Sequence, residues 1–168
     1  MLIVLSGLPG VGKTTIARAL AARIGAVHIR IDSIEEALGR SAPSVEPMND
    51  AGYVVGYAVA EDNLRLGLTV IADSVNPWPE TRDAWAAAAA RAGVGAAEVE
   101  IICSDRDEHR RRVESRLQAE GGGPSWHDVV TRDYRPWNRA RLIVDTAGRS
   151  TAECVTAVQA GVPDVSSR

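Results

Sequence analysis

The sequence contains no phenylalanine and few other aromatic residues, four tryptophans and three tyrosines. It also has no apolar run near the roughly 18 to 20 residues that a membrane-spanning helix needs. The first residues, MLIVLSG, are too short for the apolar region of a signal peptide and lack a basic flank, so we expect a cytoplasmic protein. Cys103 and Cys154 form neither a CxxC pair nor a metal-ligand cluster, and we expect reduced, mostly buried thiols.

Net charge is also small, because 22 acidic residues offset 19 basic ones and leave −3. Such a protein has no overall field that attracts duplex nucleic acid or an anionic membrane, so we expect neither partner. Any polyanion must therefore be bound locally. Lysine is the scarcest charged residue: Lys13 is the only one, and a compact ammonium is not interchangeable with a planar guanidinium around a phosphate.

The chain has 168 residues, of which 45% are hydrophobic and 24% charged, values typical of one folded domain. Apolar runs that predict strands alternate with segments of helical periodicity, which favours an α/β fold with a parallel sheet covered on both faces. The predicted strands are 1–5, 26–31, 68–72, 99–103 and 141–144. The predicted helices are 14–24, 33–38, 50–66, 80–92, 105–117, 126–139 with an interruption at Pro136, and 152–160. We expect a single domain over residues 1–162, with a loop at 40–47, and a flexible tail over residues 163–168.

The segment GLPGVGKT, residues 7–14, matches the pattern GxxxxGK[ST] and lies between the first predicted strand and the first predicted helix. In such a loop, glycines allow backbone N–H groups to converge on phosphate oxygens, and the helix N-terminus adds partial positive charge. Lys13 then bridges the outer phosphates, and Thr14 coordinates Mg²⁺. We expect a nucleoside triphosphate to be bound by Gly7, Leu8, Pro9, Gly10, Val11, Gly12, Lys13, Thr14 and Thr15, together with Arg112.

Other sequence features exclude several classes of protein with this loop. The single lysine leaves none for the Asn/Thr-Lys-x-Asp segment by which GTPases read guanine, and the LSGGQ signature of transporter-type ATPases is absent. The chain is also too short for the larger cores of helicases and recombinases. A small phosphotransferase remains.

Three predicted strands end in an aspartate, namely Asp32, Asp73 and Asp145. Ligands gather at the carboxyl ends of parallel strands, so we expect these carboxylates at the same edge as the phosphate loop. We expect Asp32 to cap helix 33–38 and to be the catalytic base that accepts the proton of an attacking hydroxyl. We expect Asp73 to bind Mg²⁺ or the substrate. An ordinary cap or turn residue is the alternative for each, and it is the role we expect for Asp145, near a possible base-binding loop at 146–148.

The predicted helix 105–117 is rich in arginine. Arg112 and Arg116 are four residues apart and share one helix face, from which guanidinium groups grip a transferring phosphoryl group. For Arg110 and Arg111 we favour a solvated face. Glycines 121–123 then predict a hinge, and residues of about 117–136 a lid that excludes water, with a plain surface loop as the alternative. Arg132 and Arg135 lie beyond the hinge and are placed to close onto the same phosphates.

Ordinary packing is the expected role of the tryptophans, except that Trp78, which follows Asp73 closely, is equally well placed to form a pocket wall. The three histidines, His28, His109 and His127, are scattered along the chain and predict no metal site.

The phosphate loop, the aspartate in IRIDSIEEAL, the segment GLTVIADSVNP followed by Arg82, the Arg112 and Arg116 pair and the late LIVDTAG together resemble the small P-loop kinases. The chain is most similar to the group that includes chloramphenicol phosphotransferase-like, gluconate kinase-like, adenylylsulfate kinase-like and zeta-toxin-like proteins. The resemblance covers nearly the whole chain. It implies a P-loop NTPase three-layer sandwich, with a five-stranded parallel sheet of order 2-3-1-4-5 and a short lid.

The resemblance also implies Mg-ATP as the phosphoryl donor and a small hydroxyl-bearing acceptor. It implies Asp32 as catalytic base, Arg112 and Arg116 as lid arginines, and Arg82 near the acceptor. The chain departs from the nucleoside monophosphate kinases because DSVNP, residues 73–77, stands where those enzymes have DGxPR, which argues against a plain adenylate kinase. Since the lid is short, acceptor binding is expected to rely on the loop from 40 to 53.

The sequence therefore favours an ATP-dependent kinase that phosphorylates a hydroxyl of a small molecule. The expected catalytic residues are Lys13, Asp32 and Arg116, the expected substrate-binding residues are Asp32, Asp73 and Arg82, and the expected metal-binding residues are Thr14 and Asp73. A nucleotide-binding switch or adaptor with slow ATP hydrolysis is one alternative. A nucleic-acid end kinase is another, disfavoured because arginines exceed acids by only two over residues 105–141. The sequence does not predict the acceptor or the oligomeric state.

Overall fold

The computed structural model describes residues 1–41 and 48–162. The elements, in chain order, are β1 (Leu2–Ser6), α1 (Lys13–Ile24), β2 (Val27–Arg30), α2 (Ile31–Gly39), α3 (Ala51–Arg65), β3 (Val70–Asp73), α4 (Pro79–Arg91), β4 (Ala96–Ile102), α5 (Arg106–Glu120), α6 (Trp126–Val130), β5 (Leu142–Asp145) and α7 (Thr151–Gly161). The predicted tail at 163–168, and most of the predicted loop at 40–47, lie outside the described residues.

The five strands form one parallel sheet of order β2-β3-β1-β4-β5, which confirms the expected P-loop NTPase topology. β1 lies at the centre because all five of its residues, LIVLS, are buried and suit a strand with neighbours on both sides. All strands therefore end at the same edge of the sheet. The loop after β1 lies at the middle of that edge, with the ends of β2 and β3 on one side and those of β4 and β5 on the other.

Successive residues of β1 point to opposite faces of the sheet and divide the core into two layers. Ile3 and Leu5 pack in a cluster with residues of α1 and α7, such as Leu20. Leu2 and Val4 pack in a second cluster with residues of α3 and α4, which includes the fully buried Trp85. The chain is thus a three-layer sandwich in which helices cover both faces of the sheet, as the alternation of strands and helices predicts.

Three predicted boundaries were wrong. β4 begins at Ala96 and not at Val99, because the AAE segment pairs in register with β1 although it has no strand-like pattern of its own. α2 begins at Ile31, so Asp32 lies in the first turn of this helix and Arg30 is its N-cap. α6 ends at Val130, well before Pro136, because the following residues bond to the turn after β3 and to α4 rather than to one another.

Both cysteines are free thiols, Cys154 buried and Cys103 partly so. In the part of the chain that the structure describes, no helix is both long enough and apolar enough to span a membrane.

Candidate active site

The phosphate loop between β1 and α1 is held in a conformation that requires glycine. Gly7 has φ 138°, and a Cβ atom there would lie 2.2 Å from the carbonyl oxygen of Ile101 on β4. Gly10 has φ 83°, and its Cβ would lie 2.4 Å from a methyl carbon of Val113 on α5. Positive φ and close neighbours both exclude a larger residue at these two positions. The loop therefore follows a path between β4 and α5 that only glycine allows at these two positions.

The N-terminus of α1 is available to an anion. Its N-cap is Gly12, which provides no side-chain acceptor, and its first turn has no acidic residue. The first helical residue, Lys13, is buried, and its ammonium donates a hydrogen bond of 2.8 Å to the carbonyl oxygen of Leu8 across the loop. Burial lowers the pKa of Lys13 to about 8, although Asp73 and Asp32 oppose the shift. Positive charge is thus concentrated where the motif predicts phosphates.

Asp73 ends β3 and is the most buried carboxylate of the site, with 2% of its surface exposed. Its Oδ2 lies 3.2 Å from Nε2 of His28 on β2. Burial alone would raise the pKa of Asp73, but the hydrogen bonds of His28 and Thr14 and the charge of Lys13 lower it below its ordinary value. Asp73 is therefore an ionised carboxylate directly beside the hydroxyl of the phosphate loop, the pair of oxygen groups that Mg²⁺ prefers.

Asp32 lies at the mouth of the site and is half exposed. Its Oδ2 accepts a hydrogen bond of 2.8 Å from Nη2 of Arg30, and the same guanidinium lies 3.8 Å from Oε1 of Glu36. The helical turn at 31–39 points Asp32 into the same cavity as the phosphate loop. It is thus a solvated carboxylate, held in place by one arginine and open to a hydroxyl group.

A single cavity of about 690 Å³ connects these groups. Its lining residues are Pro9, Gly10, Gly12, Lys13, Thr14, Thr15, Ile16, Arg30, Asp32, Glu35, Glu36, Asp73, Ser74, Val75, Arg112, Arg116, Gly123, Pro124, Arg132, Thr146, Thr151 and Cys154. The structure thus brings together both predicted carboxylates, both helix arginines and Arg132. Three residues of the phosphate loop do not line the cavity, namely Gly7, Leu8 and Val11.

Sequence reasoning missed four lining residues near Asp32, namely Arg30, Glu35, Glu36 and Ser74. It also missed the contact of His28 with Asp73. One signal was available: His28 and Arg30 are two residues apart on a predicted strand and so share a face of the sheet. The register of β2 against β3, which sets Arg30 opposite Asp73, has no such signal because the two strands are far apart in sequence.

α5 is fastened to the phosphate loop by two contacts. Nη1 of Arg112 donates a 2.8 Å hydrogen bond to Oγ1 of Thr146, and this hydroxyl lies 2.9 Å from the carbonyl oxygen of Val11. Nε2 of His109 lies 2.8 Å from the carbonyl oxygen of Pro9. Arg112 therefore holds helix, loop and the turn after β5 together while its guanidinium borders the cavity. Arg116 borders the cavity one turn further along α5.

The structure contradicts the predicted position of Arg82 near an acceptor. Arg82 does not line the cavity; it is fully buried, and its guanidinium donates hydrogen bonds to backbone carbonyl oxygens of Asn76, Pro77, Arg135 and Pro136. It also stacks on Trp137, with its central carbon 4.1 Å from the ring centroid. Arg82 follows the turn after β3 closely in the sequence, but that turn and the segment at 135–137 together enclose it.

Trp78 does not form a wall of the cavity either. It is largely exposed, and its indole N–H donates a 2.9 Å hydrogen bond to Oδ2 of Asp133. Asp145 has the structural role expected for it, because its Oδ1 accepts hydrogen bonds from the backbone N–H groups of Ser104 and Ala147.

Three solved structures share this fold over nearly the whole chain. A protein from Chloroflexus aurantiacus to which kinase activity is ascribed is 21% identical, with a TM-score of 0.75 over 96% of this chain and 97% of its own. A gluconokinase from Sinorhizobium meliloti is 23% identical, with a TM-score of 0.65 over 95% and 89%. Kti12 from Chaetomium thermophilum, solved in complex with ADP-AlF3, is 24% identical, with a TM-score of 0.69 over 96% and 99%.

A search of curated proteins finds no significant match to the chain. The family model described as an AAA domain matches residues 2–133, which contain the phosphate loop, the cavity residues Asp32 and Asp73 and the arginines of α5. This match spans most of the chain, and the sheet order agrees with the expected topology. The protein therefore belongs to the AAA domain family and has the P-loop fold of the small kinases.

Proposed function

We propose that the protein is a kinase that transfers the γ-phosphoryl group of Mg-ATP to a hydroxyl of a small-molecule acceptor. One observation carries the proposal: a single cavity connects the phosphate loop with the carboxylates of Asp32 and Asp73 and with arginines from three other segments. A nucleotide-binding site alone needs only the loop. A carboxylate open to a hydroxyl group, beside cations that approach the same space, is what phosphoryl transfer needs in addition.

The residues of the site fit the nucleotide and its metal ion. The glycine-dependent loop, the N-terminus of α1 and Lys13 would hold the β and γ phosphates, with Thr15 and Arg112 nearby. Thr14 and Asp73 would hold Mg²⁺, which usually binds one or two protein groups together with phosphates and water. The bound ion supplies positive charge that neutralises charge developing on the phosphates. Across the described residues, no group of three or more His, Cys, Asp or Glu side chains forms a separate metal site.

Four residues of the cavity have roles in the transfer. Lys13 exchanges the carbonyl oxygen of Leu8 for a phosphate oxygen, and Asp32 accepts the proton of the acceptor hydroxyl as its oxygen bonds to phosphorus. The bond from phosphorus to the bridging oxygen of ADP breaks in the same transfer, and ADP leaves. Arg116 and Arg132 face the transferring group and stabilise its charge.

We further propose that residues 117–136 act as a lid over this cavity. The segment contains the end of α5, the glycines at 121–123 and α6, and it contributes Gly123, Pro124 and Arg132 to the cavity lining. The glycines have no side chains to hold them in place and would serve as the hinge. Closure of the lid would exclude water and suppress hydrolysis of ATP. The small net charge supports an enzyme that acts on a small molecule rather than on a nucleic acid.

The direct test is mass-spectrometric detection of a product that is heavier by one phosphoryl group. The protein is incubated with Mg-ATP and pooled sugars, nucleosides, nucleotide sugars, adenylylsulfate and hydroxyl-bearing antibiotics. In the Asp32→Asn variant we expect the rate to fall by about 100-fold or more, because a general base contributes that much, while ATP affinity stays unchanged. Asp62→Asn, on the exposed side of α3, is the matched control. Full turnover in Asp32→Asn would remove Asp32 as the base.

A nucleotide-dependent switch is the second candidate. It is favoured by the similarity to Kti12, which is not named as a kinase although it was solved with ADP-AlF3. The same experiment separates the two functions. Binding of ATP with no phosphorylated product from any pool would support the switch.

A further inference from the structure

The part of the cavity that α2 forms has an unusual balance of charge. α2 contributes Asp32, Glu35 and Glu36, which are spaced i, i+3 and i+4 and all line the cavity. Arg30 is the nearby cation, and it engages Asp32 at 2.8 Å and Glu36 at 3.8 Å. We call this end of the cavity, with Arg30, the α2 carboxylates and Ser74, the acceptor end.

Glu35 is the carboxylate that Arg30 does not neutralise. Among residues 1–41 and 48–162, no arginine, lysine or histidine nitrogen lies within 4 Å of its carboxylate. Burial and the neighbouring Asp32 raise the pKa of Glu35, and Arg132 only partly opposes them. A third anion beside Glu35, such as a carboxylate, phosphate or sulfate of a ligand, would meet repulsion from Glu35 and Asp32 that Arg132 offsets only in part.

The acceptor end also contains polar atoms with unmet hydrogen-bonding capacity. Oγ of Ser74 is buried, with 3% of the residue exposed, and has no hydrogen-bond partner in the described structure. The Tyr53 hydroxyl lies near it, but no hydrogen bond of ordinary geometry joins the two. Nε of Arg30 is likewise buried and without a partner in that part of the chain. Buried groups of this kind lose free energy unless a ligand or water completes them.

Hydroxyl groups suit the hydrogen-bonding chemistry of each of these atoms. A hydroxyl donates to the carboxylate of Glu35, accepts from Nε of Arg30, and either donates to or accepts from Ser74. An anionic group offers acceptors only, and it places like charge beside Glu35 and Asp32. We propose that the acceptor is a polyhydroxylated molecule, neutral or bearing an amine, with no anionic substituent, and that Glu35 selects it. This inference rests on the proposed kinase function and assigns Glu35 the role of a specificity residue.

The test compares matched acceptors at equal concentration with Mg-ATP. One set holds neutral sugars, sugar alcohols and amino sugars, and the other holds the corresponding sugar acids and sugar phosphates. We expect initial rates at least about tenfold higher on members of the first set than on members of the second. The Glu35→Gln variant should lower this ratio of rates by about tenfold, because it removes the repelling charge. Glu114→Gln, which changes a carboxylate paired with Arg110 on the exposed face of α5, should leave the ratio unchanged.

A second measurement does not depend on a variant. The preference of the unaltered protein for uncharged acceptors should shrink as salt is raised, because ions screen the repulsion from a partly exposed carboxylate. Equal or faster phosphorylation of the anionic set, or a ratio that neither Glu35→Gln nor salt changes, would overturn this inference and leave the kinase proposal intact. Absence of product from both sets, with a product from another of the pooled acceptors, would overturn this inference alone. Absence of product from every pool would overturn the kinase proposal and this inference together.

Discussion

Lys13 is a cation that lies in a buried environment. It is the only lysine of the chain, it is buried, and in the absence of phosphate it donates its hydrogen bond to the carbonyl oxygen of Leu8. Burial holds its pKa at about 8, below the ordinary 10.5, so its charge is present at neutral pH but is easily lost. A bound phosphate would favour the ammonium form and raise this pKa again.

A pH dependence of nucleotide binding follows from this pKa. The affinity for ATP should fall as the pH rises above about 8, by up to about tenfold per pH unit, because binding must then be accompanied by proton uptake. The folding stability of the free protein depends on pH in the opposite direction. Its folded pKa is lower than that of the unfolded chain, so this group adds stability as the pH rises from about 8 to 10.5.

Isothermal titration of ATP into the protein between pH 7 and 9.5, in buffers of different ionisation enthalpy, measures both affinity and proton uptake. The Lys13→Met variant should bind weakly and without proton uptake at any of these pH values. An affinity of the unaltered protein that is constant through pH 9 would contradict the assignment.

At the scale of residues, the sequence predicted the groups that belong to a motif or end a strand. Lys13, Thr14 and Asp73 converge because strand ends meet at one edge of a parallel sheet. Glu35 and His28 were not predicted as site residues, because their positions depend on how α2 and β2 pack against distant segments. A surface carboxylate and a cavity carboxylate look alike in a sequence.

At the scale of elements, the most consequential contacts are those by which Arg82 anchors the segment after α6. This guanidinium, which has no carboxylate partner among the described residues, binds carbonyl oxygens of Asn76 at 3.0 Å and Arg135 at 2.8 Å. The N–H of Arg135 in turn donates a 2.8 Å hydrogen bond to the carbonyl oxygen of Pro77. The segment that carries Arg132 into the cavity is thereby fixed to the start of α4.

Replacement of Arg82 by lysine should lower the free energy of unfolding by about 2 to 4 kcal/mol. The ammonium keeps the buried charge but cannot reach all of the carbonyl oxygens, which leaves buried polar groups without partners. Urea denaturation followed by tryptophan fluorescence measures this loss. Arg91→Lys, at an exposed ion pair with Glu61, is the matched control and should change stability by less than about 0.5 kcal/mol. Equal stability of the two variants would show that Arg82 is not an anchor.

The elements themselves were largely predictable, because period-2 and period-3.6 patterns are strong where one face is buried. The AAE start of β4 was not predictable, because pairing with β1 overrides its local preference. The early end of α6 was not predictable either, because the residues that follow it bond to the turn after β3. The buried position of Arg82 follows from the same fold of the segment at 131–139, which no local pattern indicates.

At the scale of the whole molecule, the cavity is built by segments from both halves of the chain, so a bound nucleotide should stabilise the entire fold. A ligand at 100 times its dissociation constant adds about 2.7 kcal/mol to the free energy of unfolding. For a protein of this size, that corresponds to a rise in Tm of about 5 to 10 °C. Scanning calorimetry with and without Mg-ADP measures this shift. Lys13→Met should show a much smaller shift, and an equal one would argue against binding at the phosphate loop.

The fold class of the whole molecule was predicted from alternating strands and helices, whereas the order of the strands came from the resemblance to small kinases. Alternation alone leaves several orders open, because it does not say which strand lies beside β1. The central position of β1 is visible in its sequence, since all of its residues are apolar except the last. The position of β2 at the edge of the sheet is not visible in its sequence.

That edge position has a consequence for how proteins of this kind diverge. β2 has a single neighbour, β3, and together with α2 it supplies the groups of the acceptor end, whereas the phosphate loop extends from a strand enclosed on both sides. Inherited changes at cavity positions of α2 such as Glu35 and Glu36 leave the phosphate loop itself untouched. Descendants of one ancestral gene are thereby free to exchange one acceptor for another while all of them keep the same donor.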